Sequence, residues 1–265
     1  MEIIGYAASI LIGIALGLIG GGGSILTVPV LVYLFNIDPV IATSYSLFIV
    51  GSTSAVGSIS YFQKKLVNVR TAMVFGIPSI ISVFLTRAYL VPIIPETIIS
   101  SGGFVITKAI LLMLIFAVLM IFASYSMIKR DNTPVIEQLE VQKFNYPLIL
   151  IEGLVVGVLT GLVGAGGGFL IIPALVILSK LPMKEAIGTS LVIISAKSLI
   201  GFLGEGGDSV VDWKLLLLVS VFAILGIFIG ISLSKRIDGK KLKPAFGWFV
   251  LVMGVYIIVK STIFQ

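Results

Sequence analysis

Eight stretches of apolar residues, each long enough to cross a lipid bilayer, fill most of this chain of 265 residues. A helical span needs roughly 20 apolar residues. Only 11% of the residues are charged, against about 25% in an average soluble domain. The chain is therefore predicted to be an all-α polytopic protein of the cell membrane. The stretches cover residues 3–35, 39–62, 70–91, 104–128, 147–179, 186–204, 213–233 and 244–262.

The chain contains no histidine and no cysteine. Their absence excludes disulfides, thiolate or imidazole metal sites and histidine-based catalysis. We therefore expect no enzyme activity, no cofactor and no metal ion. The net charge of +6 comes from basic residues in short loops, without the interleaved aromatic residues typical of a nucleic-acid surface. The expected partners are the lipid bilayer and a small anion, and a homodimer is compatible with the sequence.

The first and fifth stretches are too long for one straight span. At roughly 1.5 Å per residue, 33 helical residues extend about 50 Å, whereas the hydrocarbon core is roughly 30 Å thick. Each stretch carries a glycine cluster near its middle, at residues 20–23 and 164–168. Each is therefore predicted to break there and turn back as a hairpin. Its second arm, residues 25–35 or 169–179, could either cross fully or re-enter.

The two glycine clusters belong to an internal repeat. At an offset of 144, residues 17–29 and 161–173 match at seven of thirteen positions. We predict a first repeat over 1–128, a cytoplasmic linker over 129–145 and a second repeat over 146–265. Each repeat would hold a glycine-broken hairpin followed by three transmembrane helices, about ten helical segments in all.

The distribution of lysine and arginine favours repeats of opposite orientation, because cytoplasmic loops carry an excess of these residues. If every stretch crosses once, the two sides hold eight and nine basic residues. If the first and fifth stretches are hairpins, the cytoplasmic side holds thirteen and the outer side four. The sequence therefore predicts an inverted repeat with both chain termini outside.

The glycine clusters are the first candidate anion site. Broken helices expose backbone N–H groups, and the helix that follows each break points its positive end at the same place. The alternative is that the glycines only allow close helix packing, as we expect for Gly13 with Gly17 and for Gly157 with Gly161.

Lys197 is the second strong signal, because it lies in the middle of an apolar stretch. A lysine near the middle of the membrane costs roughly 2.5–3.5 kcal/mol even on the more lenient scale, so it normally faces a cavity. The alternatives are a side chain that reaches the membrane surface and an ion pair with Glu205.

Hydroxyl groups and one further cation complete the candidate site. Hydroxyls that follow each hairpin could bind the anion or could bond only to backbone, and Ser52, Thr53 and Ser54 are weaker candidates. Arg87 could recruit the anion or act as a gate, or could simply extend to the outer membrane surface. The predicted substrate-binding residues are Gly20, Gly21, Gly22, Gly23, Ser24, Thr43, Ser44, Gly164, Gly166, Gly167, Gly168, Thr189, Ser190 and Lys197.

The repeated motif G-L-[IV]-G-x-G-G-x-x-L-x-x-P, followed by [AG]-T-S and V-[ND]-[VW]-[RK], resembles the sulfite exporter TauE/SafE family. This family is also called the toluene-sulfonate uptake permease superfamily. The resemblance covers essentially the whole chain, and residues 87–96 also resemble one branch of the family. It implies membrane transport of sulfite, sulfoacetate or another organosulfonate. Lys197 is a departure, because many members carry a polar uncharged residue there.

The sequence thus favours a secondary transporter or exporter that works by alternating access. A passive anion channel is the alternative from a different class of protein. An intramembrane scaffold or enzyme for lipid-linked phosphates is a third reading, which the missing histidines and cysteines and the scarcity of buried acids count against.

Overall fold

The computed structural model describes residues 2–21, 23–101, 104–128, 146–164, 166–177, 181–204, 211–234 and 239–263. In these parts the chain is mostly helical, and the predicted linker 129–145 lies outside them. The helices are α1 (Glu2–Ile19), α2 (Ser24–Tyr33), α3 (Pro39–Gln63), α4 (Val69–Ile93), α5 (Lys108–Ile128), α6 (Tyr146–Val163), α7 (Gly168–Ile177), α8 (Met183–Leu203), α9 (Trp213–Leu233) and α10 (Gly239–Ile263).

Four of these helices, α3, α4, α8 and α9, are long and apolar enough to cross a membrane on length and composition. The first and fifth apolar stretches are each divided into two helices, α1 with α2 and α6 with α7. The predicted breaks are therefore present. The crossing of all eight stretches and the opposite orientation of the two repeats stay predictions.

The fourth apolar stretch begins as a strand and not as a helix. Strand β2 (Phe104–Thr107) pairs in antiparallel fashion with β1 (Thr97–Ser101). The hydroxyl oxygen of Thr107 accepts a hydrogen bond from the backbone N–H of Ile110 (3.3 Å). This bond satisfies one of the free N–H groups of the first helical turn, so α5 starts at Lys108.

Side-chain caps start the two helices that begin within the repeated V-[ND]-[VW]-[RK] motif. The side chain of Asn68 accepts from the backbone N–H of Thr71 (3.0 Å) at the start of α4. Asp212 accepts from the N–H of Leu215 (3.1 Å) at the start of α9. The same type of cap therefore begins the equivalent helix in each half of the chain.

The main helix contacts join the two halves of the chain. Helix α1 packs against α9, α6 packs against α4, α3 packs against α8, and α5 packs against α10. In each pair one helix comes from residues 1–128 and the other from residues 146–265. The two halves therefore share one interior.

Glycines allow the close approach within the pairs α1–α9 and α6–α4. A Cβ on Gly17 would lie 2.5 Å from the carbonyl oxygen of Ile227. A Cβ on Gly157 would lie 2.6 Å from the carbonyl oxygen of Ser79. Such distances leave no room for a side chain, so the packing role expected for these glycines is confirmed.

Replacing Gly157 with alanine is expected to destabilise the protein by about 1–3 kcal/mol, because the added methyl group must displace the backbone of α4. Gly76→Ala is the matched control, since a Cβ there meets no atom closer than the 3.6 Å of the Ile193 side chain. The control should keep its thermal stability in detergent or gain slightly from helix propensity. Equal melting temperatures for the two variants would contradict the packing assignment.

Candidate functional site

The first glycine cluster turns the chain back onto α1. Gly20 adopts a left-handed conformation with φ of 75°, and its N–H donates to the carbonyl oxygen of Leu16 (2.7 Å). A Cβ on Gly23 would lie 2.7 Å from the Leu16 side chain. Only residues without a Cβ fit this path, which explains why glycines occupy it. Gly22 lies outside the described residues.

The second cluster makes a similar break with more left-handed residues. Gly164, Gly166 and Gly167 have φ angles of 70°, 61° and 68°. The N–H of Gly164 donates to the carbonyl oxygen of Thr160 (2.8 Å), as Gly20 does to the residue four positions before it. A side chain at any of these positions would be strained. The left-handed turn therefore follows from the glycines themselves.

The two breaks meet each other inside the protein. A Cβ on Gly21 would lie 2.7 Å from the Cα of Gly168, and a Cβ on Gly168 would lie 3.0 Å from the carbonyl oxygen of Gly21. The two backbones are thus in direct contact. The two breaks therefore converge on one place, and binding of an anion there stays a prediction.

Each break also contacts the start of the helix that follows the other hairpin. The hydroxyl of Ser190 donates to the carbonyl oxygen of Gly20 (3.0 Å) and to that of Ile187 (2.8 Å). Gly164 lies against the backbone of Thr43, where a Cβ would be 2.5 Å from the Thr43 Cα. Helix α8 of the second half therefore holds the first hairpin, and α3 of the first half holds the second hairpin.

Most of the predicted hydroxyl ligands are hydrogen-bonded to backbone. Ser24 donates to the carbonyl of Gly21 (2.7 Å), and Thr43 donates to that of Val40 (2.7 Å). The hydroxyl oxygen of Thr189 accepts from the backbone N–H of Asn68 (2.9 Å). These groups hold the breaks and the helix starts in position. Ser44 is buried beside them.

Lys197 lies at the second break and is completely buried, with 0% of the residue exposed. Its Nζ donates to the hydroxyl oxygen of Thr160 (3.2 Å). A Cβ on Gly167 would lie 2.6 Å from this Nζ, so the absence of a side chain at Gly167 makes room for the ammonium group. The lysine therefore stays inside the protein and does not reach the membrane surface. Glu205, the alternative partner, lies outside the described residues.

Thr160 is a site residue that the sequence analysis missed. Its hydroxyl donates to the carbonyl of Val156 (2.8 Å) while its oxygen accepts from Lys197. Thr160 lies between Gly157 and Gly161 in the sequence, and these two glycines pack closely on α4. A hydroxyl on a glycine-lined face one turn before a helix break was the available signal.

Further buried hydroxyls lie at the level of Lys197 along the helices. Gly51 of α3 contacts Leu199 of α8. Between α4 and α8, Gly76 contacts Ile193 and Val83 contacts Gly201. These contacts align the middle of α8 with the middle of α3 and of α4. Four hydroxyls in this layer are fully buried and have no hydrogen-bond partner among the described residues: Thr53, Ser54, Ser79 and Ser198. The sequence analysis missed Ser79 and Ser198.

Arg87 lies further along α4 than the residues at the level of Lys197. It lies in a π-helical turn of α4, Thr86–Leu90, and only 1% of it is exposed. Its position along α4 is one turn beyond Val83, which contacts Gly201. Arg87 is thus about two turns, or roughly 11 Å, from the level of Lys197. The structure brings Lys197 and the two breaks together, and Thr86, the neighbour of Arg87, packs on Gly161 of α6.

A groove of about 210 Å³ between α4 and α8 is lined by apolar side chains such as Met73, Ile77 and Ile193. It lies beside Ala196 but does not include Lys197. Because it offers an anion no polar partner, it is not part of the candidate site.

Comparison with known proteins gives a match over nearly the whole chain. A family model described as sulfite exporter TauE/SafE matches residues 6–257. A probable membrane transporter protein of Xylella fastidiosa is 32% identical over 255 residues, which is 95% of this chain and 92% of that protein. The probable membrane transporter protein YunE of Bacillus subtilis is 26% identical, over 91% of each chain. No solved structure matches the chain.

Replacing Thr160 with valine is expected to lower stability by about 1–3 kcal/mol, because valine keeps the shape but leaves the buried amino group of Lys197 without an acceptor. Thr160→Ser is the matched control, since it keeps the hydroxyl. Thermal unfolding in detergent at neutral pH measures both. A valine variant as stable as the serine variant would show that this hydrogen bond does not hold Lys197.

Proposed function

This chain belongs to the sulfite exporter TauE/SafE family of membrane transporters, and we propose that it carries a small sulfur-containing anion across the membrane by alternating access. The observation that carries this proposal is Lys197, a fully buried lysine at the place where the two glycine breaks meet. A buried ammonium group is costly unless an opposite charge compensates it. A transported anion would supply that charge.

The groups around Lys197 suit a sulfonate or sulfite group. Helix α7 begins at Gly168 and α2 begins at Ser24, so two positive helix ends lie at the contact between the breaks. The unpartnered hydroxyls of Ser198 and Thr53 can donate to oxygen atoms. A sulfonate carries three acceptor oxygens, and these oxygens would use the donors that Lys197 and the hydroxyls offer. Sulfite, sulfoacetate and other organosulfonates are the proposed substrates.

An inverted repeat would explain how the site opens to either side. The exchange of contacts between the halves, with α1 on α9 and α6 on α4, supports a pseudo-two-fold relation. In transporters built this way, one part rocks against the other around a central site made by broken helices. The contact between Gly21 and Gly168 would be the pivot. Both chain termini would lie outside and the linker 129–145 in the cytoplasm.

A passive anion pore and an intramembrane enzyme or scaffold are the alternatives to a carrier. A passive anion pore would use the same buried cation but could only let an anion run down its gradient, whereas a carrier can concentrate it. The continuous helix packing around Lys197, with the residue fully enclosed, favours a carrier. An enzyme or scaffold for lipid-linked phosphates would need a general base or metal ligands. The described residues hold no cluster of three acidic side chains that could bind a metal.

The orientation of the second half can be tested with a single introduced cysteine, because the chain has none of its own. Lys180→Cys is expected to react with a membrane-impermeant maleimide only from the cytoplasmic side if the first and fifth stretches are hairpins. Lys64→Cys is the control, since both topologies place it in the cytoplasm. Labelling of Lys180→Cys from outside would exclude the inverted repeat.

Removal of the buried cation should remove anion binding. Lys197→Ala is expected to weaken binding at least about tenfold, which corresponds to about 1.4 kcal/mol. Thermal-shift titrations with sulfite, thiosulfate, sulfate, taurine, sulfoacetate and simple carboxylates measure the affinity and identify the substrate class.

The control for this measurement is Lys64→Ala, because Lys64 is exposed in the loop after α3. It should bind the anion as the unmodified protein does. Equal affinities of Lys197→Ala and Lys64→Ala for an anion that the unmodified protein binds would contradict the proposed site.

A further inference from the structure

We propose that Lys197 takes up a proton together with the transported anion, so that one proton crosses the membrane with each anion. This inference rests on the proposed function and adds the second transported species. It follows from the way in which the structure surrounds the amino group of Lys197.

The amino group has little compensation for a positive charge. An ammonium group has three N–H donors, and Thr160 is the one hydrogen-bond or ion-pair partner that the described residues supply to Lys197. That partner is a neutral hydroxyl whose own proton is donated to Val156. A charge buried with so little compensation is strongly disfavoured. Two changes relieve the cost: loss of the proton, or arrival of an anion.

The helices that pack around Lys197 bring few other charges near it. Helix α7 has no titratable side chain, and the polar side chains of α3 at the level of Lys197 are all hydroxyls. Glu152 lies eight residues before Thr160, about 12 Å along α6, and Arg87 lies about two turns away along α4. The titratable groups on these helices and on α8 are Tyr45, Tyr61, Arg70, Arg87, Tyr89, Tyr146, Glu152, Lys184 and Glu185.

These constraints define a transport cycle with two low-energy forms. The empty carrier holds a neutral amine at Lys197 and changes orientation in that form. On the side where it opens, the amine gains a proton from water and the ammonium pairs with the anion. After the change of orientation the anion leaves, and the ammonium releases its proton to the same side. Each cycle therefore moves one proton and one anion.

Charge movement follows from this stoichiometry. A monovalent sulfonate crosses with no net charge, whereas a divalent anion such as thiosulfate carries one net negative charge. The carrier with a proton but no anion, and the carrier with an anion but a neutral amine, are both disfavoured. A gradient of either species can therefore drive the other species across the membrane in the same direction.

The test uses the full chain reconstituted in liposomes, with methanesulfonate and thiosulfate as probes. Methanesulfonate does not itself titrate near neutral pH, so any proton movement belongs to the protein. With equal methanesulfonate on both sides, an outside pH one unit lower is expected to drive about tenfold accumulation inside, because one proton accompanies each anion. A pH-sensitive dye should report acidification of the lumen during uptake down an anion gradient.

The outcomes separate this inference from the proposed function. Uptake of an anion with no change in lumenal pH and no response to the pH gradient would overturn proton coupling but leave anion transport intact. Absence of flux for both probes, in protein that binds no anion, would overturn the proposed function and this inference with it.

Lys197→Arg tests the role of the residue itself. A guanidinium group does not release its proton in proteins, so this variant should still bind the anion and exchange anion for anion. Its net uptake and its response to the pH gradient should be lost. If arginine does not fit beside Gly167, Lys197→Gln is the second variant: it has no proton to carry and no charge, so it should bind the anion weakly and show no accumulation driven by pH. Lys64→Arg is the control and should couple normally; accumulation driven by pH in either Lys197 variant would overturn the inference.

Discussion

The contact between Gly21 and Gly168 is the constraint on which the rest of the structure depends. Each glycine belongs to a helix break, and each would clash with the other if it carried a Cβ. Because the backbones touch, the hairpin of one half must lie against the helices of the other half. This arrangement explains why α1 packs on α9 and α6 packs on α4, each pair joining the two halves. It also explains the hydrogen bond from Ser190 to the carbonyl of Gly20.

The same contact creates the setting for a buried charge. Left-handed glycines leave space that no side chain fills, and the amino group of Lys197 occupies the space at Gly167. A lysine at this depth costs several kcal/mol, so it is normally kept only where a function uses it. Its neutral partner Thr160 positions the amino group without neutralising a charge. The site is thus held in place by backbone geometry, and within the part of the chain that the structure describes Lys197 has no opposite charge as its partner.

The helix breaks could be predicted because the length of an apolar stretch and the position of its glycines can both be read directly from the sequence. A stretch of 33 apolar residues cannot be one straight span, and the four glycines at residues 20–23 mark where it breaks. The start of α5 could not be predicted, because residues 104–107 are apolar and β-branched enough for a strand, and only the pairing with β1 decides between strand and helix.

The hydroxyl groups show why a site is harder to predict than a fold. Ser24, Thr43 and Ser190 stand next to the breaks in sequence, yet their hydroxyls bond to backbone carbonyls. Thr160, which touches Lys197, lies on a helix 37 residues before it. A serine or threonine in a helix often bonds its hydroxyl to a backbone carbonyl one turn earlier. Only the packing of α6 on α4 and of α3 on α8 determines which hydroxyls face Lys197.

One chemical difference between the halves lies in the side chains around the second break. The position in the first half that corresponds to Lys197 is Gly51, which packs so closely on Leu199 that a Cβ would lie 2.9 Å from that side chain. The position that corresponds to Thr160 is Leu16, which is fully buried against the first break. A second lysine would bring two like charges into one enclosed space, which no single monovalent anion could compensate. One cation between two similar backbone breaks therefore limits the site to one anion at a time, whichever way the surrounding halves are turned.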